Sequence, residues 1–552
     1  MTPIDYRRLA EAVMASMDDM RACWEWLSKR IKPRQNDVLN LIKQPASKRK
    51  AEHSSRASEA CDILAASFNS YITPSGQKWF KFSNADTFSK EKHEIWYSHA
   101  TDVMLDELAR SKFYAEKHEA DIDRCLYGTG CLFNEGLRNG KLIYRHIPVG
   151  SYGIAENADG DVDTVCRRFE YTAHQAVERF GYDKLPNDVR QAYESMTDRL
   201  TKKFEFWHLI TPRAEYTVPN GSADVNPLQM RYASVYMYGA GNHDIVEEGG
   251  YLEFPFMVSR FLKWGGSVWG YPPAYRCFDD LNRNIKLDRA QDILTDLQIY
   301  PRILQAAEQV GEIDFRAGGR TVVDPGIESP NLPREWMTGG RIESALERQA
   351  EVEKRIASAF YVPCLQVINS IDRQMTAEEV RARQEERITQ CSPTYALYCA
   401  DLAVIMERTF AVLFRTGKFN TNKASQPKEL KVMASDGESF GIAMPKICYH
   451  GKINQAIDRA EKQSLDYALA SIGSYINLTG DPSCLDNIDA DALTRYTLNN
   501  TGAPAEVYRE KAEVDKIRAR REEERQAALQ LQLAQAANQG SQAKKNVASI
   551  QQ

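Results

Sequence analysis

Between Tyr275 and Tyr300 apolar side chains recur at helical intervals, Phe278, Leu281, Ile285, Ala290, Leu294 and Leu297, and Pro301 ends the run. The next segment, GEIDFRAGGRTVVDPGIESPNLPREWMTGGR from Gly311 to Arg341, is so dense in Gly and Pro that it supports only short strands and turns. A second helical pattern then runs from Ile342 to Phe360 and is broken by Pro363. The chain therefore travels out along one rod, makes a small irregular excursion, and returns along another.

At 552 residues the chain has room for three or four sub-structures. Residues 1 to 120 read as helical, in runs 24–44, 55–72 and 91–128. The last is a long helix or a helix pair, with Trp96, Ala100, Val103, Met104, Leu108 and Phe113 as its core-facing stripe. From 131 to 268 the period changes. CLFNEG, KLIYRHIPV, VCRRFEYT, KFEFWHLIT and SVYMYG alternate apolar and polar residues between Gly, Asn and Asp turns, which predicts an antiparallel sheet region. Thr376 and Glu379 form a capping box for a third long helix reaching about Arg415, and Pro393 inside it predicts a kink near Gln390 to Ser392. Residues 429 to 450 supply a few strands, and 453–476 and 503–528 read as helices, the latter a zwitterionic run. The Ala- and Gln-rich tail, 529 to 552, is expected to fray into disorder. The fold class is α+β, mainly helical.

Composition narrows function by exclusion. With 43% apolar and 27% charged residues the chain is an ordinary globular one, and 71 Lys plus Arg against 76 Asp plus Glu leave a net charge of -5. That is not the basic footprint of a sequence-reading DNA binder. No run reaches the length of a membrane span, and acidic residues interrupt the first twenty positions where a signal peptide would be apolar. Eleven Cys without a C-x-x-C point to reduced thiols, not to a zinc or disulfide framework. GTG at 128 to 130 is followed by Phe133 where a dinucleotide fingerprint needs its third glycine, and no P-loop motif occurs. His93 and His99 are too far apart in phase to share a helix face as HExxH ligands do. Asp288, Asp292 and Asp296 share a face and define one enzymatic alternative, a Mg²⁺-dependent nuclease. Lys286 and Arg289 interleave them, so a solvated or subunit-contacting face is the simpler reading. Trp264 and Trp269, flanking Gly265 and Gly266, read as a cluster packing a turn onto a core. No cofactor or metal is implied.

Five segments, in this order, carry a family likeness: YGTGCLFNEG (127 to 136), CRRFEYTAHQAVERFG (from Cys166), VSRFLKWGGSVWGYPPAYRCFDDLNRNIK (258 to 286), MTAEEVRAR (375 to 383) and the Ala/Gly-rich helical end after CYHGKINQAIDRAEKQ. Together they resemble the portal proteins, or head-to-tail connectors, of short-tailed bacteriophages. One departure is IYPRILQAA before the excursion, where that family more often has a Pro-Pro-Leu type run.

The resemblance implies the phage portal fold and a ring, usually of twelve identical subunits, at the unique capsid vertex of the virion, assembled in the host cytoplasm. Double-stranded DNA passes through without sequence specificity during packaging and ejection. Terminase, tail-adaptor, scaffold and capsid proteins are the implied partners, with no membrane and no catalysis. It also implies a domain map: wing 1–274, stem helix 275–300, clip 301–341, second stem helix 342–360, tunnel loop 361–374, kinked helix and wing strands 375–450, crown helices 451–528, and the low-complexity tail 529–552. On that map Arg373 in the tunnel loop, then Lys286, Arg289, Lys354 and Arg355 on the stem, are candidates to meet DNA phosphates. Asp292, Asp296, Glu351 and Glu353 offer the stem cations subunit salt bridges instead. Phe315, Arg316, Arg320 and Trp336 in the clip are candidates for adaptor docking, with Trp336 the anchor. A near-neutral wall suits a conduit, because each neutralised phosphate adds affinity and friction against sliding. A third reading is a structural or scaffolding protein of another particle, assembling through its helical C-terminus.

Overall fold

Caps and turns mark where each element begins. A computed structural model describes residues 3–32, 54–83, 93–214, 226–239, 244–299, 302–304, 334–336, 342–365, 377–420, 427, 430–433, 440–442, 444–450, 465–476, 478, 488–489, 491, 493–494 and 511–550. The chain divides into two units, residues 1–90 with 99–456, and residues 91–98 with 457–552.

The first unit opens with α1 (Pro3–Ala15), α2 (Asp18–Arg30) and α3 (Ser55–Tyr71). Ser54 caps α3, its hydroxyl accepting the Ala57 amide at 3.3 Å and so satisfying an orphan donor. A strand, β1 (Phe80–Ser83), follows where only helix was expected. The 91–128 pattern resolves as a pair, α4 (Glu94–Arg110) and α5 (Phe113–Tyr127), and Gly128 at φ 91° ends α5 in the left-handed region.

The predicted sheet region consists of β2 (Thr129–Arg138), β3 (Lys141–Ile147), β4 (Tyr152–Glu156), β5 (Val162–Thr172), β6 (Lys203–Pro212), β7 (Tyr232–Tyr238), β8 (Ile245–Tyr251) and β9 (Phe256–Arg260). These form a five-stranded sheet, β4-β5-β6-β7-β8, and a three-stranded sheet, β3-β2-β9, antiparallel throughout. The expectation of sheet alone needs correction between β5 and β6. Three short helices stand there, α6 (Ala173–Phe180), α7 (Asn187–Glu194) and α8 (Asp198–Thr201). Thr172 and Gln175 make a reciprocal capping box that turns the strand into α6. Ala176, Phe180 and Val189 then bury against Phe204, Phe206 and Tyr236 of the sheet.

A 3₁₀ turn at Pro273–Cys277 leads into α9 (Phe278–Ile299). Within the excursion, β10 (Arg302–Leu304) pairs antiparallel with β11 (Arg334–Trp336). The chain returns as α10 (Ile342–Ala359) and continues through α11 (Val362–Leu365) to α12 (Ala377–Arg415), with Pro393 inside α12. Thr376 and the side chain of Glu379, the expected capping box, lie outside the described residues. β12 (Lys431–Met433) pairs with β13 (Phe440–Ile442), and β14 (Lys446–Tyr449) pairs with β1, closing late sequence onto early sequence.

One charged cluster ties α3, α5 and α12 together inside this unit. Lys117 Nζ donates to Asp121 at 2.7 Å and to Asn69 at 2.8 Å, and the Tyr398 hydroxyl donates to the other Asp121 oxygen at 2.5 Å. Burial lowers the Lys117 pKa, and the Asp121 carboxylate opposes that shift. In the second unit residues 465–476 are helical and a 40-residue helix spans Lys511–Ile550. The frayed tail expected from 529 is therefore corrected: Ala, Gln, Leu and Lys are strong helix formers even where they bury little. Among the described residues no helix is long and apolar enough to cross a membrane.

Candidate functional site

The two helices flanking the excursion stand on a joint built from the glycine-rich strings YGTG and WGGSVWGYPP. The Gly128 carbonyl accepts the Phe261 amide at 2.8 Å, and the Thr129 hydroxyl accepts the Gly270 amide at 2.9 Å. A Cβ on Gly128 would sit 2.2 Å from the Gly270 oxygen, and one on Gly270 would sit 2.2 Å from the Gly128 oxygen. Only two glycines can cross here. Trp269 is buried beside the crossing, its indole N–H donating to the Ser16 carbonyl at 2.8 Å and its ring meeting Trp24 edge-on at 4.8 Å. The expected packing role thus holds for Trp269. It does not hold for Trp264, whose side chain is 69% exposed.

From this base α9 and α10 pack on each other, with Leu281, Ile285, Val352 and Ile356 buried. Asn284 donates to the Ser54 hydroxyl at 2.9 Å, so the residue that caps α3 also anchors α9. Arg276 donates to the Tyr361 hydroxyl at 2.8 Å and joins the foot of α9 to the end of α10. Gln349 bridges the pair, donating to Asp288 at 2.5 Å and to Glu353 at 3.1 Å. Partial burial, with Glu353 and Asp292 close by, raises the Asp288 pKa.

The candidate cations Lys286, Arg289, Lys354 and Arg355 are all exposed. Lys286 and Arg289 are exposed, and at 100° per residue they fall within 60° of each other on one face of α9, together with exposed Ile293. Arg355, also exposed, pairs with Glu351 at 2.8 Å and Asp280 at 3.5 Å. The Arg355 hydrogen bond, with Arg348 adding its charge, keeps the Glu351 carboxyl below its usual range. Lys354 is exposed on α10, with no ion pair to a described residue. Arg373, Phe315, Arg316 and Arg320 lie outside the described residues. Trp336 ends β11, in register with Arg302. Asp288 leans on Gln349 while Asp292 and Asp296 are exposed. Among the described residues no group of three or more acidic, His or Cys side chains is placed to hold a metal. Sequence reasoning missed Gln349, Asn284 and the Gly128–Gly270 crossing. The crossing had a signal, two glycine-rich strings without a phosphate-loop spacing, but nothing in it says that the strings meet.

A family model described as bacteriophage head to tail connecting protein matches residues 5–508. The chain belongs to that family. It is a structural connector of the phage particle, not an enzyme, and the nuclease alternative falls with that assignment. Among curated proteins, the connector is 25% identical over 503 residues to the probable portal protein of Bordetella phage BPP-1, covering 89% of this chain and 85% of that one. It is 23% identical over 491 residues to the portal protein of Salmonella phage epsilon15, covering 87% and 84%. Among solved structures, a chain from the virion of a native gene transfer agent particle aligns at 12% identity and TM-score 0.33, covering 76% of this chain and 94% of that one. A chain from the neck of that kind of particle, computed with C12 symmetry, aligns at 12% identity and TM-score 0.27, covering 61% and 85%.

Proposed function

We propose that this connector is the portal of its phage: a closed ring at the unique capsid vertex through which double-stranded DNA enters and leaves. The observation that carries the reading is the antiparallel helix pair joined beyond its tip by a two-stranded excursion, in a chain that aligns over most of its length with portal proteins of two phages. In this reading α9 and α10 are the stem, 301–341 the clip, 361–374 the tunnel loop, 451–528 the crown, and the remaining body the wing. If twelve copies of α9 line the bore at about 10 Å spacing, their axes lie on a circle roughly 38 Å across, leaving about 28 Å after side chains. That admits a duplex.

Lys286 and Arg289, on the outward face of α9, then meet phosphates on passing DNA, with Lys354 and the tunnel-loop Arg373 as further contacts. Arg355 serves the stem itself. Phe315, Arg316, Arg320 and Trp336 project with the clip, where terminase docks during packaging and tail-adaptor proteins afterwards; scaffold and capsid proteins meet the wing. The subunits are made and assembled in the host cytoplasm. Negative-stain images of the purified protein test the whole reading. Closed rings with an axial hole are the expected result, and a chain that stays solitary under every assembly condition overturns it.

A further inference from the structure

Arg124, on α5, is wholly buried and carries more donors than its protein neighbours use. Its Nη2 donates to the Arg260 carbonyl at 3.5 Å, while Nε and Nη1, both buried, meet no hydrogen-bond partner among the described residues. The rings of Phe68, Phe261 and Tyr398 lie 4.8, 5.0 and 5.0 Å from its central carbon. Aromatic faces offset the charge, but they accept only weak hydrogen bonds. Buried N–H groups on a charged side chain are costly to leave unpaired. Arg124 lines a small cavity between α5, β2, β9 and α12, to which Lys117, Asp121, Ser259 and Tyr398 supply the other polar side chains, each at most 2% exposed. The cavity measures about 10 Å³, the space that the centre of one water needs.

Charge and proton count together decide what fits there. Lys117 pairs with Asp121 at 2.7 Å, the Arg124 charge acts on Asp401 and offsets part of the burial that pushes that carboxyl up, and Arg260 is taken by Glu156. Cations and anions around the cavity balance without a further ion. The Ser259 hydroxyl donates to Asp401 at 2.7 Å and the Tyr398 hydroxyl donates to Asp121 at 2.5 Å, so each has only lone pairs left to offer. The Asp121 carboxylate also offers lone pairs alone. An occupant must therefore accept from Arg124 and donate to these oxygens. A halide has no proton to donate and would face the Asp121 carboxylate. A sodium or ammonium ion has no lone pair for Arg124 and would face its guanidinium. A water molecule does both.

We propose that this cavity binds one internal water, which accepts from Arg124 and donates to two of the three oxygens that Asp121, Ser259 and Tyr398 present. It joins α5 to β9 and α12 one turn behind the glycine crossing, where the Gly128 amide closes α5 on the Arg124 carbonyl at 3.0 Å. A water so held is a component of the fold. A lone subunit binds it as a ring does, so the proposal stands apart from the portal reading.

The test is crystallography of the full-length protein in maps that show ordered waters, from crystals kept in sodium chloride and from crystals exchanged into sodium bromide. The expected result is one peak within hydrogen-bond distance of Arg124 Nε or Nη1 in both, with no anomalous bromide signal. An anomalous peak there assigns a halide and overturns the proposal, and a map without any peak in the cavity overturns it too. Arg124→Met keeps the length of the side chain and removes its donors, so the peak is expected to be lost. A peak of undiminished height in that variant overturns Arg124 as its holder. The unmodified protein decides the matter even where the variant does not fold.

Discussion

Gly128 shows how much of this architecture rests on single positions. Its φ of 91° and the 2.2 Å approach to the Gly270 carbonyl leave no room for a side chain. Gly128→Ala adds left-handed strain to a displaced backbone, and a loss of about 3–5 kcal/mol is expected by thermal or urea melts. Gly266, where an added Cβ would meet no atom within 4 Å, is the control: Gly266→Ala should stay within about 0.5 kcal/mol. Asp288 gives a pH signature. Its pKa is raised in the folded chain, so the folded state holds the proton more tightly than the unfolded state. Stability is gained as pH falls through the raised value and is lost again as the carboxylate charges toward neutrality. Asp288→Asn keeps the acceptor for Gln349, so melts between about pH 4 and pH 7 should lose that slope and show a higher Tm at neutral pH. An unchanged profile would remove Asp288 from the account.

At the scale of elements, the proposed channel role of the α9 cations can be measured. Neutralising Lys286 and Arg289 together should flatten the log–log salt dependence of duplex binding by about 1 per cation, measured by fluorescence anisotropy. Arg355→Gln should leave that slope unchanged, because its guanidinium is held by Glu351 and Asp280. Equal effects from both variants would count against the assignment. Replacing 312 to 339 by a short Gly/Ser linker should preserve assembly while removing tail-adaptor binding in a pull-down. Retained binding would place that surface elsewhere.

Much of the helix pair was legible beforehand, because a long periodic stripe bounded by prolines admits few alternatives. α9 begins at Phe278 and ends at Ile299, and α10 spans Ile342 to Ala359, within three residues of the expected limits. β1 was not legible. It is four residues long, and Ser83 meets Cys448 across 365 residues of sequence, so no local window contains its partner. α6 and α7 are eight residues each, too short to build a periodic pattern between strands, although Thr172 and Gln175 were a readable start signal. The Glu351–Arg355 pair was readable as i,i+4 neighbours on one helix, whereas the Asp280–Arg355 pair depended on how α9 and α10 meet.

For the whole molecule, the C-terminal helix sets a further expectation. Residues 514–532 are exposed almost throughout, so the end of the chain adds little to the core. Deleting 529 to 552 should leave assembly intact on sizing columns and in negative stain. A monomer would show that the helix holds subunits together. Trp269 has a consequence of another kind. Its indole reaches back 253 residues to the Ser16 carbonyl. A ribosome adding about 5–20 residues each second needs roughly 13–50 s to cover that distance. Throughout that interval the Ser16 carbonyl and the Trp24 ring wait for their partner, and the footing of the stem is finished only when its own first helix is about to be made.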